Sequence, residues 1–581
     1  MDDLDRRNFI RILTASSLGG GLVLLGCSRK GGATVRFDQG VASGDPTGTS
    51  VVLWTRAVPS NGLEVLVHFQ VSRDQFFRDV VLTGKSTALL EADFTVRVKV
   101  DGLDPGTHYY YRFEANGCRS EVGRTLTAPS PDSDRPVKFG VAYGQALVGR
   151  YFNSWQVMCR TDPDLDFVLF LGDYIYEFDR IPGAQEPTPD RKVDLPDGLA
   201  LGDGDKDGMV ARTLRDYRTL YRTWRSDPNL KSAHRMFPFI TIWDDHEFAN
   251  DCWQDHANDF DGARGDEKET ARREAATRAF YEYIPVDVAY QPDKGFPNDI
   301  RLYRSLRFGS NVEIFLTDQR YYRDDHVVPE GPIDLNVGKL QENSEIGSRI
   351  FALKDGFDKE EAAKKPTMLG KNQLSWIEQS VLESDATWKL LASPTIVSQM
   401  LLDLRNMNDL PAMLRNVFYF KLDQWDGYRS ERAKLISKLE SVENLVILTG
   451  DIHGTLVSKV YTDFDSPSDK PATVEYVGPS ISALSVFEQL AVAVEIDENL
   501  KKMGLQDTVG RIDDVLMNSN PHYEYVDTKA YGYAVVDVRQ EEEVRVTMVH
   551  LDDVQSPAID QPVRRVSFKT PGGEAAVEKE G

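Results

Sequence analysis

A segment near the middle of the chain decides the fold class. Residues 167–177 read Phe-Val-Leu-Phe-Leu-Gly-Asp-Tyr-Ile-Tyr-Glu. A run of five apolar residues is typical of a strand that is buried on both faces, as in the parallel sheets of α/β proteins. Gly172 allows a tight turn after this strand, and Asp173 follows it. Carboxylates directly beyond the carboxyl end of such a strand lie where open α/β sheets bind their ligands.

Three further apolar runs end in polar clusters. Residues 239–243 precede Asp-Asp-His-Glu at 244–247, residues 312–317 precede Asp-Gln-Arg at 318–320, and residues 445–449 precede Gly-Asp-Ile-His at 450–453. A single cluster of this kind could be a helix cap. Several such clusters, two of them with histidine, predict a metal site instead. Oxygen ligands together with His and Tyr suit iron, manganese, calcium or zinc.

The pattern of elements changes once along the chain, near residue 129. Short β-like runs separated by turn residues fill residues 33–128 and predict a small β-sandwich domain. Residues 129–136 are rich in Pro, Ser and Asp and are interpreted as a linker. From residue 137 to 572 strand and helix patterns alternate, which predicts a large α/β domain. Residues 573–581 are interpreted as a tail.

The first 32 residues resemble an export signal and not a folded element. Arg6 and Arg7 precede an apolar, Gly-rich run that ends at Cys27. The arginine pair resembles a twin-arginine signal, and the cysteine resembles the lipid-bearing residue of a bacterial lipoprotein. An ordinary membrane anchor is the alternative, although the run is short for a spanning helix. We expect an exported protein in the periplasm or outer envelope, with Cys27 as a candidate lipid anchor.

Composition limits the classes of function. The chain has 581 residues, of which 41% are hydrophobic, and a formal net charge of −24. This length predicts more than one folded unit. The negative charge argues against a broad nucleic-acid-binding surface, because nucleic acids are polyanions. An acidic pocket would also repel a phosphate ester, so a phosphate substrate would require bound cations.

Three motifs, in this order, resemble those of one family. They are Gly-Asp-x-x-Tyr at 172–176, Asp-Asp-His-Glu at 244–247 and Gly-Asp-x-His at 450–453. With further segments at 40–46 and 425–428, they resemble the PhoD-type alkaline phosphatase and phosphodiesterase family of calcineurin-like metallophosphoesterases. The resemblance implies an α/β protein with a four-layer α/β/β/α catalytic domain, a ferric ion and one or more calcium ions.

The resemblance also implies a set of site residues. The metal ligands would be Asp173, Tyr176, Asp245, Asn250, Asp451 and His453. The first would bridge two ions, the tyrosine and the histidine would bind iron, and the other three would form the calcium side. His246 would lie beside the phosphate as the catalytic histidine. Arg320 is a weaker candidate for a phosphate contact, and a structural salt bridge is its alternative role.

One position departs from the family pattern. In the family, the strand at residues 137–142 is followed by a turn whose cysteine thiolate binds iron, and Gly144 stands in that turn here. The missing ligand weakens the expectation of iron more than that of the fold. An altered metal set and a loss of catalysis are both consistent with it.

Two functions are therefore weighed. The first is metal-dependent hydrolysis of phosphate mono- or diesters, in which the metals activate a water or hydroxide for in-line attack on a small-molecule, lipid or polymer substrate. The second is a non-catalytic envelope protein of the same fold that binds a phosphorylated or glycan ligand. The presence of all three motifs favours hydrolysis, because a binding role has no need of the whole set.

Overall fold

The computed structural model describes residues 33–201, 208–257, 268–328, 349–496, 501–502, 505–557 and 562–580. The predicted export signal at 1–32, including Cys27, lies outside these residues. Within the described part of the chain, no helix has the length and apolarity needed to cross a membrane.

The larger of two main sheets contains ten strands among the described residues. In spatial order they are Glu578–Lys579, Arg564–Pro571, Glu543–Leu551, Tyr531–Arg539, Val137–Ala142, Phe167–Leu171, Pro238–Ile242, Val41–Gly44, Ser50–Arg56 and Thr95–Asp101. The three central strands run parallel, with Phe139 opposite Phe167 and Val168 opposite Phe239. Their carboxyl ends therefore lie at one edge of the sheet, where the predicted site residues follow them.

The second main sheet has seven strands within the described residues. In spatial order they are Arg304–Phe308, Val312–Leu316, Trp388–Ser393, Leu445–Thr449, Thr473–Val477, Thr455–Val460 and Tyr523–Asp527. Leu445–Thr449 is central and pairs in parallel with both of its neighbours. It carries the Gly-Asp-x-His motif to the same end as the strands beside it.

Side chains of the seven-stranded sheet alternate between two cores. Val446 and Leu448 join the core shared with the ten-stranded sheet, whereas Leu445 and Ile447 pack against helices Gly370–Glu383 and Arg429–Leu439. This alternation follows from the pleat, which turns successive side chains to opposite faces.

Two helices, Asn153–Thr161 and Pro228–Met236, pack on the ten-stranded sheet. The Trp155 ring of the first helix lies 5.6 Å from the Phe239 ring. The order is therefore helix, sheet, sheet, helix, and the predicted four-layer α/β/β/α fold is confirmed.

The N-terminal β-rich region is joined to the larger sheet. Its own sheet contains Gly123–Leu126, His108–Ala115, Val65–Ser72 and Val80–Ala88, with Cys118–Arg119 paired to the second of these. This sheet packs against the three strands at the end of the ten-stranded sheet that starts with Val41–Gly44. Ser43 pairs with Pro238 of the central strands. The sandwich thus shares a sheet with the α/β part, and the domain limits drawn at 128 and 136 stay predictions.

The other elements surround this frame. The remaining helices are Leu214–Trp224, Thr270–Tyr283, Lys354–Lys364, Val486–Ile496, Gln506–Gly510 and Ile512–Ser519. Small sheets are formed by Val35–Arg36 with Val58–Pro59, by Leu199–Ala200 with Met209–Val210, and by Phe351–Leu353, Val417–Phe420 and Leu401–Asp403. The last of these sheets and the helix Val486–Ile496 lie beside the cleft described next.

Candidate metal centre

Three predicted ligands from distant parts of the chain meet at the ends of the central strands. The Tyr176 hydroxyl donates a hydrogen bond of 2.9 Å to Asp173 Oδ2 and lies 3.2 Å from His453 Nε2. His453 Nε2 is 3.5 Å from Asp173 Oδ2, although the two residues are 280 positions apart in sequence. We call these three residues the tyrosine cluster. Three donor atoms at such separations can surround one ion at ligand distance.

The turns after the strands Phe167–Leu171 and Leu445–Thr449 have strained backbones. Asp173, Asp451 and His453 have φ values of 57°, 62° and 61°, in the left-handed region that residues with a side chain rarely adopt. Gly172 has φ +96°, and a Cβ there would lie 2.4 Å from the Cβ of Asp244. The close approach of the two strand ends therefore requires glycine at this position. Strain of this kind is concentrated at functional sites.

Glu247 ties two of the strand-end turns together. Its carboxylate accepts hydrogen bonds from the backbone N–H groups of Asp173, Tyr174 and Asp244 at 3.1, 2.5 and 2.8 Å. Burial raises the pKa of Glu247 to about 7, although the three N–H groups oppose that rise. The last residue of the Asp-Asp-His-Glu motif thus positions its neighbours.

A group of buried carboxylates lies next to the tyrosine cluster. Donor atoms of Asp173, Asp245 and His246 all lie within 4.8 Å of one another, as do those of Asp244, Asp245 and Asp451. Gln424 Nε2 donates a hydrogen bond to Asp451 Oδ2. Asp245 belongs to both sets, so two adjacent ions could be held across it.

The chemistry of this group fits cations. Burial raises the pKa of Asp173 well above its usual value; His246 lowers it, and Asp245 and Asp451 raise it further. Asp173 Oδ1 is buried and has no hydrogen-bond partner in the described part of the chain. A buried acceptor left without a partner costs roughly 1–3 kcal/mol, which a bound cation would offset. The donors present, carboxylates with a phenol and an imidazole, suit hard or borderline metal ions.

His453 is held in the form that a metal ligand needs. Its Nδ1 donates a hydrogen bond of 2.8 Å to the carbonyl oxygen of Leu484, which leaves Nε2 directed at the tyrosine cluster. Burial lowers the pKa of His453 to about 3, so the imidazole is neutral. A carbonyl that accepts from the second nitrogen is the usual support of a histidine that binds a metal.

His246 is oriented by a residue that the sequence analysis did not select. Its Nδ1 lies 2.6 Å from Glu177 Oε2, and its ring centroid is 4.2 Å from that of Tyr176. Burial acts to lower the pKa of His246, but Glu177, Asp245 and Asp173 outweigh it and raise the pKa well above its usual value. Glu177 directly follows the Gly-Asp-x-x-Tyr motif, and this adjacency was the available signal.

Arg320 forms buried salt bridges, which is the alternative to a contact with the phosphate. The side chain is fully buried, with Nε 2.5 Å from Asp244 Oδ1 and Nη1 2.6 Å from Asp423 Oδ2. Its Nη2 lies 3.7 Å from Asp245 and 3.6 Å from Asp451. The positive charge of the guanidinium therefore offsets part of the negative charge of these four carboxylates. Asp423 is further paired with Arg323 at 2.6 Å.

Most of the predicted site residues line a cleft of about 270 Å³. Tyr176, Asp245, His246, Asn250, Asp451 and His453 all contribute to its lining. Asn250 is exposed there, and its backbone N–H donates to Glu177 Oε1 at 2.7 Å. Lys421 and Gln424, which the sequence analysis did not single out, also line the cleft.

Gly144 borders the tyrosine cluster. It has φ +62°, and a Cβ built on it would lie 3.5 Å from the Tyr176 hydroxyl and 3.1 Å from the Cβ of Ser480. The preceding Tyr143 does not replace the missing ligand, because its hydroxyl donates to Gly478 O at 2.9 Å. It also accepts from the backbone N–H of His453 at 3.1 Å. The departure from the family pattern thus falls beside the three converging ligands.

Comparisons with known proteins agree with this geometry. A family model described as PhoD-like phosphatase matches residues 139–548, and one described as its N-terminal domain matches residues 26–129. Alkaline phosphatase D of Bacillus subtilis (strain 168) is 32% identical over an alignment of 461 residues that covers 77% of this chain and 69% of that protein. A solved structure of PhoD matches with a TM-score of 0.74 at 27% identity, covering 95% of this chain and 93% of that one.

These matches confirm the resemblance drawn from the three motifs, and they do not favour the non-catalytic alternative. The fold, the converging carboxylates and the two family models agree over most of the chain. The chain belongs to the PhoD-like phosphatase family and is a phosphoester hydrolase.

Proposed function

We propose that the cleft hydrolyses phosphate esters with two kinds of metal ion. In this proposal Asp173, Tyr176 and His453 form the position that a ferric ion occupies in the family pattern, while Asp245, Asp451 and Asn250 form the calcium side. The observation that carries it is the convergence of Tyr176, Asp173 and His453 within 3.5 Å of one another. A purely structural role would not explain the buried Asp173 Oδ1, which has no hydrogen-bond partner among the described residues.

The ions would supply Lewis acidity and lower the pKa of a water to about 7. The chain's own residues would do the rest. His246, cationic and fixed by Glu177, would donate a hydrogen bond to a phosphoryl oxygen. Glu247 would keep the strand-end turns at a fixed separation. Arg320 would limit the repulsion among the carboxylates.

The ligand set supports the choice of metals. A phenol and a carboxylate are hard anionic donors suited to a trivalent ion, and a group of Asp and Asn oxygens suits calcium. With glycine at position 144, the ferric position would have one anionic donor fewer than the family pattern provides. We therefore propose that the protein keeps its metals but binds iron weakly or accepts divalent ions in its place.

Location and anchoring are also proposed. The Arg6-Arg7 pair and Cys27 motivate export by a twin-arginine route to the periplasm or outer envelope, with a lipid on the cysteine. Replacing both arginines with lysine should keep the protein inside the cell, as measured by fractionation. If that variant is exported as efficiently as the parent, the proposal fails.

Asp451→Asn tests the catalytic proposal. The change keeps the shape of the side chain and removes one anionic ligand, so metal content should fall and kcat/KM should drop by at least roughly 100-fold. Asp469→Asn, at an exposed position, is the matched control. Hydrolysis of a phosphomonoester and a phosphodiester would be measured together with metal per chain. Equal activity and metal content in the two variants would remove Asp451 from the mechanism.

A further inference from the structure

A second, apolar cavity adjoins the cleft. It has a volume of about 120 Å³ and is lined by Leu402, Leu414, Phe418, Phe420, Ala493 and Ile512, among others. These residues come from the small three-stranded sheet, from the short 3-10 helix Ala412–Leu414, and from the helices Val486–Ile496 and Ile512–Ser519. Native interiors contain few voids larger than a water molecule, so a cavity of this size beside a catalytic cleft is a candidate binding site.

The wall between the two cavities is one layer of side chains. Ile350, Lys421 and Gln489 line both spaces. Lys421 Nζ donates to Gln489 Oε1 at 2.7 Å, and Gln489 Nε2 lies 3.0 Å from His453 Nδ1. Gln489 therefore contacts the imidazole proposed as an iron ligand and also lines the apolar cavity. Ile350, Lys421 and Gln489 form the boundary that a group bonded to a phosphate in the cleft would cross to reach the apolar cavity.

We propose that this cavity binds the apolar alkyl or aryl group of the phosphoester substrate while the phosphate lies in the cleft. This inference rests on the proposed function and adds a substrate class to it. The Lys421 ammonium at the junction would face the anionic phosphate, and the Leu and Phe side chains would contact the apolar group. A cavity of about 150 Å³ with a similar lining accepts benzene, so the occupant is a ring or a short chain and not a long acyl tail.

A series of alkylphosphonates tests the proposal, because each carries one apolar group and is not hydrolysed. Inhibition constants of methyl-, butyl- and hexylphosphonate would be measured against release of phosphate from a small phosphoester. Each methylene that enters the cavity should tighten inhibition roughly fourfold until the cavity is full. A series without any dependence on chain length would overturn the inference.

Two variants of one helix give the matched comparison. Ala493→Leu fills the cavity and should bring the inhibition constants for methyl- and hexylphosphonate close together. Ala491→Leu makes the same change on Val486–Ile496 at a residue outside the cavity lining and should retain the parent's ratio. Equal ratios in both variants would contradict the assignment.

A binding readout separates this inference from the proposed activity. Hexylphosphonate should raise the melting temperature of the parent more than methylphosphonate does, and this difference should vanish in Ala493→Leu. If no phosphoester is cleaved but this shift is seen, the proposed function fails and the cavity assignment stands. If esters are cleaved and neither inhibition nor melting depends on chain length, the cavity assignment alone fails.

Discussion

Gly144→Cys would place a thiol beside the tyrosine cluster, at a position whose surroundings the structure defines. The new Cβ would start 3.5 Å from the Tyr176 hydroxyl, and its sulfur extends one bond further. A thiolate there adds an anionic donor to a phenol, a carboxylate and an imidazole. Added anionic donation favours the ferric state, so the variant should hold more iron than the parent.

The structure also sets a cost for this change. Position 144 has φ +62°, and a side chain in the left-handed region costs about 1–2 kcal/mol. The Cβ of Ser480, 3.1 Å from the new Cβ, must move by a few tenths of an ångström. In the presence of a chelator, Gly144→Cys should therefore unfold about 1–2 kcal/mol more easily than the parent. With iron bound, part of that loss should be recovered.

Gly144→Ala is the matched control, because it meets the same backbone strain and offers no sulfur. Iron per chain would be measured by elemental analysis, and visible absorption would report tyrosinate and thiolate bound to Fe³⁺. We expect at least roughly tenfold tighter iron binding in Gly144→Cys than in Gly144→Ala. Equal iron content and equal spectra in the two variants would show that a thiolate at position 144 does not bind the metal. So would a parent protein that already holds one ferric ion per chain.

Three further changes test separate parts of the account. Glu247→Gln replaces an acceptor of three N–H groups with an amide that also donates, so the free energy of unfolding should fall by about 1–3 kcal/mol and the metal content should fall as well. Unchanged metal content would contradict the positioning role of Glu247. Gly172→Ala places a Cβ 2.4 Å from that of Asp244, so we expect the variant either to fail to fold or to fold with little bound metal. A normal metal content would show that the strand ends need not approach so closely. Burial lowers the pKa of His522 from 6.5 to about 4, and its Nε2 donates to Gln399 O. His522 takes up a proton in the unfolded chain at a higher pH than in the folded chain, so the free energy of unfolding should fall by about 3 kcal/mol as the pH falls from 6.5 to 4. Urea unfolding of His522→Gln should lack that loss, and parallel pH profiles of parent and variant would exclude a contribution from His522.

The sequence predicts the strands of the α/β part well because their apolar runs leave no alternative pattern. The runs at 137–142, 167–171 and 445–449 form strands with those same bounds, and the run at 239–243 forms Pro238–Ile242. Every residue of Phe167–Leu171, Pro238–Ile242 and Leu445–Thr449 is buried, and in Val137–Ala142 only Lys138 is partly exposed, which explains the match.

The sharing of a sheet between the N-terminal region and the α/β part could not be predicted in this way. It depends on the pairing of Ser43 with Pro238, which are far apart in the chain. The pairing of Tyr531–Arg539 with Val137–Ala142, at the other side of the same sheet, likewise joins distant parts of the chain. No local pattern encodes such pairings, because they are selected by the packing of whole layers.

The site shows the same division. The residues beyond the strand ends are visible in the sequence because polar groups interrupt apolar runs there, and the structure brings Asp173, Tyr176 and His453 together. Lys421 and Gln489 carry no such signal, since one follows the central strand of the small three-stranded sheet and the other lies in a helix. Only the tertiary contacts reveal that they separate the cleft from the apolar cavity.

Anomalous X-ray diffraction from crystals of the purified, active protein would show whether its metal ions lie in this cleft. Data collected on both sides of the iron absorption edge, together with the calcium signal, locate and identify the ions. We expect one ion within roughly 2–2.5 Å of Asp173, Tyr176 and His453, and a second beside Asp245 and Asp451. An active protein whose only ions lie outside this cleft, or which contains none, would contradict it.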